Sequence, residues 1–321
     1  MNITEELSYK DIFLFPSKCC VDSRCQCDTS MTLGHRTFAL PVIAANMTSV
    51  VDVETCLFLA RENLFYIMHR FSISPLEFAK FMIKNDQFVS ISVGVNKASY
   101  DALKELLDPI QNLAKKIEYI TIDVANAWSE KTHKMIQYIK KHFSNAFLIV
   151  GNVATLEAVN ELEKWGAECV KVGIGPGKSC ITKNKTGFYR PIVSTLLETC
   201  QNENIPIIAD GGIIEHGDIA KGIACGCSCV MAGALFAGYD QSAGDVIQID
   251  NRMYKEYYGN ASEDNKNNKR HVEGKKILEA YKGNMLDLVE SLKDDLQSSI
   301  SYCGGVKLYD LYKTKIGYVK Q

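Results

Sequence analysis

The residue best placed to do chemistry in this 321-residue chain is a cysteine in a loop of glycines. The loop reads Gly173-Ile174-Gly175-Pro176-Gly177-Lys178-Ser179-Cys180-Ile181-Thr182-Lys183. Glycine and proline at this density leave backbone carbonyls exposed, which suits a hard or monovalent cation and holds the following segment in a fixed turn. Lys178 and Lys183 stand close to Cys180 in sequence, and neighbouring cations favour the nucleophilic thiolate over the thiol. Cys180 is therefore expected to be a covalent nucleophile. Most of the other cysteines read as packing residues: Cys169 lies in an apolar run, and Cys225, Cys227 and Cys229 lie at a helix end and the start of a strand. Cys19, Cys20, Cys25 and Cys27 match no pair of metal-ligand knuckles, and His35 completes no pattern with them.

Two further glycine clusters, Asp210-Gly211-Gly212 and Gly233-Ala234, end apolar runs. Backbone N–H groups at such turns hold phosphate, and a Cβ would block the close approach. Together they favour a phosphorylated ligand. Asp210 is placed either to accept from sugar hydroxyls, which would make the ligand a nucleotide, or to cap a helix. Other runs end in Asn46-Met47, His69-Arg70, Asp123 and Gly151-Asn152. His69 and Arg70 would hold an anionic cofactor or stack on the rim.

Eight short apolar runs must position these groups. They are Leu40 to Met47, Phe65 to His69, Val89 to Val95, Tyr119 to Ala125, Phe147 to Val153, Cys169 to Gly175, Pro206 to Gly212 and Cys229 to Ala234. Consecutive rather than alternating apolar positions fit parallel strands covered on both faces. Amphipathic stretches lie between them: Val53 to Glu62, Pro75 to Ile83, Ser99 to Lys116, Ser129 to His142, Thr155 to Trp165, Pro191 to Gln201 and Gly217 to Cys225. This alternation predicts an α/β protein, a (β/α)8 TIM barrel, with chemistry at the carboxyl ends of its strands; a doubly wound open sheet is the alternative. From Tyr239 to Lys282 the chain turns polar before a helix resumes at Met285 to Ile300. The 239–283 segment is read as a mobile flap after the last strand, with a decorative loop as the alternative. No linker divides residues 1–321, and Phe71 to Phe88 is too short for an inserted regulatory domain.

Composition narrows the partners. Lys plus Arg is 36 and Asp plus Glu is 38, a formal charge of −2, so broad neutralisation of nucleic acid is not expected. The acidic N-terminus and the lack of a long apolar run argue against a signal peptide or a membrane span. Twelve cysteines, several in apolar runs, read as reduced and cytoplasmic.

The text Ile174-Gly175-Pro176-Gly177-Lys178-Ser179-Cys180-Ile181-Thr182-Lys183, with Tyr9-Lys10-Asp11-Ile12-Phe13-Leu14-Phe15-Pro16, resembles the IMP dehydrogenase and GMP reductase family. Ala45-Asn46-Met47, Gly151-Asn152-Val153, Asp210-Gly211-Gly212, Tyr257-Tyr258-Gly259-Asn260-Ala261-Ser262 and Val272-Glu273-Gly274-Lys275 carry the likeness along nearly the whole chain. It is nearest the reductase branch, of the bacterial type.

The resemblance implies that Cys180 adds to C2 of the guanine of GMP, that ammonia leaves, and that NADPH reduces the thioimidate to release IMP. It places Thr182 and Glu273 in the proton relay for ammonia departure. Gly212, Gly233 and Ala234 would hold the 5′-phosphate, Asp210 the ribose, and Met47, Ala261, Arg270 and Gly274 the base. Arg70, Asp123 and Asn152 would face the cofactor, and the carbonyls of Gly175 and Gly177 would bind a monovalent cation such as potassium. Kinship also implies a homotetramer. Lys178 stands where many members carry a serine, and pairing of its charge with the phosphate is expected. Two other readings are an IMP dehydrogenase lacking its regulatory domain, and a catalytically silent protein that binds purine nucleotides.

Overall fold

The computed structural model describes residues 4–110, 113–262 and 272–319. Two short antiparallel pairings stand apart from the central sheet: β1 (Ile12–Leu14) pairs with the last strand, and β2 (Met31–Leu33) forms a hairpin with β3 (Arg36–Phe38). The central sheet then runs through β4 (Val42–Ala44), β5 (Val89–Val93), β6 (Ile117–Asp123), β7 (Phe147–Val153), β8 (Cys169–Val172), β9 (Ile207–Asp210) and β10 (Cys229–Ala232). Its order is β4-β10-β9-β8-β7-β6-β5 and every pairing is parallel. Seven strands in this cyclic order form the curled parallel sheet of a TIM-barrel-like α/β fold.

One predicted strand is absent as a strand. Phe65 to His69 meets the free edge of β5 through a single bridge, Met68 to Ile91. Side chains replace the missing ladder: the Tyr66 hydroxyl donates to the Phe88 carbonyl, and Ser92 Oγ donates to the Met68 carbonyl at 2.7 Å. The run is apolar because it is buried, and burial alone does not specify a ladder.

The helices α1 (Val53–Arg61), α2 (Pro75–Lys84), α3 (Lys97–Leu106), α4 (Glu130–His142), α5 (Leu156–Trp165), α7 (Ile192–Thr199), α8 (Gly217–Ala224) and α9 (Met285–Tyr302) follow the predicted rhythm, and a short helix not expected from the sequence, α6 (Thr182–Thr186), continues the cysteine loop. Thr155 caps α5 by accepting from the Ala158 N–H at 3.3 Å, and Gly166 ends it in the left-handed region. A cap of this kind is worth roughly 1 kcal/mol. The helix expected over Ser99 to Lys116 stops at Leu106, because the residue before Pro109 is disfavoured in the helical region.

Aromatic side chains close the amino end of the barrel. Phe65 lies 4.9 Å from Tyr119 and 5.2 Å from Phe38, centroid to centroid, and the Tyr119 hydroxyl donates to the Leu33 carbonyl of the β2–β3 hairpin. That end carries packing, and the carboxyl ends are left to carry polar groups.

The 239–283 segment contains an antiparallel sheet of β11 (Val246–Ile249), β12 (Arg252–Tyr258) and β13 (Lys276–Ala280). Asp250 and Asn251 both take positive φ, which makes the tight β11–β12 turn. The final strand, β14 (Ile316–Tyr318), returns to β1. Among the described residues no helix is long and apolar enough to cross a membrane.

Candidate active site

The cysteine loop is stitched to the segment before β13. Ile181 N–H donates to the Glu273 carbonyl at 2.8 Å, Lys275 N–H to the Ser179 carbonyl at 2.9 Å, and Cys180 bridges to Gly274. This short antiparallel contact sets Glu273 beside the half-buried Cys180. The Cys180 thiol donates to Thr182 Oγ1 at 3.1 Å, and the Thr182 hydroxyl donates to Glu273 Oε2 at 2.6 Å. A continuous path thus runs from sulfur to carboxylate.

The flanking lysines turn elsewhere, which corrects the expectation drawn from their spacing. Lys178 Nζ pairs with Glu279 Oε1 of β13 at 2.6 Å, and Lys183 Nζ lies 5.1 Å over the Tyr189 ring. Neighbours in sequence on a glycine-rich turn need not face the same way. The hydroxyl and carboxylate, not the lysines, are the polar groups hydrogen-bonded into the thiol's path.

Beside the cysteine lies a buried polar cluster. Lys171 of β8, 2 % exposed, places its ammonium 2.6 Å from Asp210 Oδ2 of β9 and 3.1 Å from Asp123 Oδ1 of β6, and it donates to Asn152 Oδ1 of β7. Asn152 Nδ2 donates to Asp210 Oδ2 at 2.8 Å and to the Gly173 carbonyl at 2.7 Å, and Asn46 Nδ2 donates to Asp123 Oδ2 at 3.1 Å. Burial works against the Lys171 charge, but Asp210 and Asp123 outweigh it and hold its pKa above the ordinary lysine value. Burial likewise pushes Asp123 up, and Lys171, Arg70 and Asn46 together bring it below the ordinary carboxylate value. Glycine at 151 is required here: a Cβ would stand 2.5 Å from Lys171 Cβ and 2.6 Å from its carbonyl oxygen.

Two adjoining cavities share the wall that holds Cys180, Thr182, Asp210 and Glu273. The larger, about 470 Å³, extends past Asp123 and Asn152 to Arg70 and Phe71. The smaller, about 230 Å³, extends past Pro176 and Gly177 to Ser179, Gly211, Gly233 and Tyr257. Tyr257 is buried, and burial pushes its pKa up to about 12 against a hydrogen bond with Ser179.

Most predicted site residues meet here. Met47, Ala261, Asn152 and Gly175 line both cavities, Arg70 and Asp123 the larger, and Gly177, Gly233 and Gly274 the smaller. Gly212 and Ala234 line neither. Gly212 faces a separate surface cavity with Tyr9 and Tyr189, and the Ala234 carbonyl accepts from Lys282 Nζ at 3.2 Å. Arg270 lies outside the described residues. The Gly177 carbonyl accepts from Cys180 N–H at 3.0 Å. Sequence reasoning missed Lys171, a single charge inside the apolar Cys169 to Gly175 run, and gave Tyr257 no role. A lysine in a strand otherwise buried was the available signal.

The family described as "IMP dehydrogenase / GMP reductase domain" matches residues 6–320. A Chromobacterium violaceum protein called GMP reductase is 52% identical over 314 residues, covering 98% of this chain and 98% of its own. A Clostridium acetobutylicum protein of the same name is 51% identical over 303 residues, covering 94% of this chain and 91% of its own. One from Variovorax paradoxus is 49% identical, covering 97% of this chain and 94% of its own.

Proposed function

This chain belongs to the IMP dehydrogenase / GMP reductase family, and we propose that it catalyses the NADPH-dependent reductive deamination of GMP to IMP and ammonia. The observation that carries the proposal is the hydrogen-bonded path Cys180, Thr182, Glu273 at the junction of two cavities. The mononucleotide takes the smaller cavity, with its phosphate at the Gly211 and Gly233 turns near Tyr257 and Ser179, and its ribose at Asp210. Met47, Ala261 and Gly274 border the base. The larger cavity suits a nicotinamide cofactor, because Arg70 offers a cation over the flat face of Phe71 at 4.6 Å, and Asp123 and Asn152 line the same cavity as Cys180.

The residues then divide the work. The Cys180 thiol gives its proton through Thr182 toward Glu273, and the thiolate adds to C2, an amidine-like carbon. Glu273, now protonated, returns the proton through Thr182 to the departing amine, leaving a thioimidate on Cys180. When bound, NADPH supplies the hydride that reduces C2. Loss of the thiolate from the reduced carbon releases IMP and restores Cys180. The balance is GMP, NADPH and two protons to IMP, NADP+ and ammonium.

Purified protein with GMP and NADPH is expected to oxidise the cofactor with one IMP formed per NADPH, followed by absorbance and chromatography. Turnover of IMP with NAD and none of GMP would make the chain a dehydrogenase, and nucleotide binding with neither reaction would make it a silent binding protein. The same reading includes a cytoplasmic homotetramer, checked by sedimentation for its assembly. It also includes a monovalent cation at the Gly175 and Gly177 carbonyls, for which replacing potassium by N-methylglucamine is expected to slow turnover.

Gly233 gives a test of the phosphate turn. A Cβ there would stand 2.4 Å from the Tyr257 hydroxyl oxygen. Overpacking of this kind costs about 1–3 kcal/mol, so Gly233→Ala is expected to weaken GMP binding by roughly 5- to 150-fold in calorimetry. Unchanged affinity in a folded variant would remove Gly233 from the site.

A further inference from the structure

Three carboxyl-end side chains that line the larger cavity meet at one ammonium. An ammonium has three donors, and Lys171 meets three acceptors: Asp210 Oδ2, Asp123 Oδ1 and Asn152 Oδ1. Its donors are fully used at 2 % exposure, so it has no proton to offer a ligand and no freedom to swing toward one. Asp210 borders both cavities and Asp123 only the larger. We propose that Lys171 is a positioning residue: a buried clamp that holds the nucleotide-side and cofactor-side carboxylates in one fixed arrangement. The proposal rests on the function proposed above only for the names of the two ligands.

The charges around the clamp are few. Asp123 faces Lys171 from β6, Asp210 from β9, and Arg70 approaches Asp123 from beyond the 65–69 run. Without the ammonium, Asp123 loses its main counter-ion while burial still acts on it. A guanidinium keeps the charge but is planar with five donors, so it cannot reproduce a three-point ammonium contact. Lys171→Met thus removes charge and geometry, and Lys171→Arg removes geometry alone.

In the native protein Asp123 sits below its ordinary value, so its contribution to stability is present above the unfolded carboxylate pKa and is lost as pH falls through the folded pKa. In Lys171→Met, burial acts on Asp123 without its main counter-ion, the folded form retains a proton, and stability is lost as pH rises.

Melting temperature of the ligand-free protein against pH, from about pH 5 to 8, is paired with GMP titration by calorimetry. The gap between the native protein and Lys171→Met is expected to widen as pH rises, with GMP affinity down by about tenfold or more. Lys171→Arg is expected to parallel the native pH profile while still losing GMP affinity. Parallel melting profiles for Lys171→Met with unchanged affinity overturn the clamp. If Lys171→Met does not fold, wild-type GMP affinity in Lys171→Arg overturns it. Should the native protein bind no GMP, the proposed function fails, and the melting profiles still decide the clamp.

Discussion

Cys180→Ala is expected to lose turnover of GMP with NADPH by roughly 10⁴-fold or more while GMP still binds within about threefold. The loss is large because no other cysteine lines either cavity. Cys56, Cys169 and Cys227 are buried, and burial pushes their thiols well up; burial takes Cys225 and Cys229 to about 12. Cys19 is exposed, and a hydrogen bond with Ser301 lowers its thiol, but it packs near the carboxyl end of α9 and lines neither cavity. Binding persists because the sulfur is one atom on a wall whose other contacts, the glycine turns, Tyr257 and Asp210, are untouched. Intact mass after brief mixing with GMP and NADPH reads the covalent adduct, which is expected in the native protein and absent in the variant. Turnover within tenfold of native in Cys180→Ala would end the covalent mechanism.

The parts of this arrangement that were legible in the sequence share a cause. Asp123, Asn152, Asp210 and Cys180 end or follow parallel strands, and a parallel barrel gathers such positions at one mouth wherever they lie in the chain. Thr155 and Gly166 were legible because capping is a local contact. What escaped depends on contacts between distant segments. The lysines beside Cys180 are turned by Glu279 and Tyr189, and the Phe65 to His69 run is held by Tyr66 and Ser92 in place of a ladder. The β11–β12 hairpin is a different case: Asp250-Asn251 between apolar runs is a local signal of a tight turn, masked by the polarity of the surrounding insertion. Lys171 escaped because one charge in an apolar run acquires meaning only when its neighbours on β6, β7 and β9 are known.

Glu273→Gln and Thr182→Val are each expected to slow GMP turnover by about 10²- to 10⁴-fold, the usual contribution of a positioned proton donor. Both residues lie on one path, with the Thr182 hydroxyl 3.1 Å from the Cys180 sulfur and 2.6 Å from Glu273 Oε2. Breaking either link disconnects the whole, so the double variant is expected to be no slower than the worse single one, and Thr182→Ser, which keeps the hydroxyl, is expected to recover most of the rate. The ammonia step has the greatest need of that path, because an amine leaves poorly without a proton. Running the other half from IMP and NADP+ involves no amine. A single turnover in that direction, read as NADPH appearance, is therefore expected to slow by less than about tenfold in Glu273→Gln, while the GMP reaction carries the full loss. Equal losses in both halves would mean that Glu273 serves the Cys180 thiolate step that both halves share and not ammonia departure, since its backbone contacts with Ile181 and Ala261 remain in either case. Those contacts use main-chain atoms that both substitutions preserve, so a split between the halves isolates the side-chain carboxyl as the group that acts.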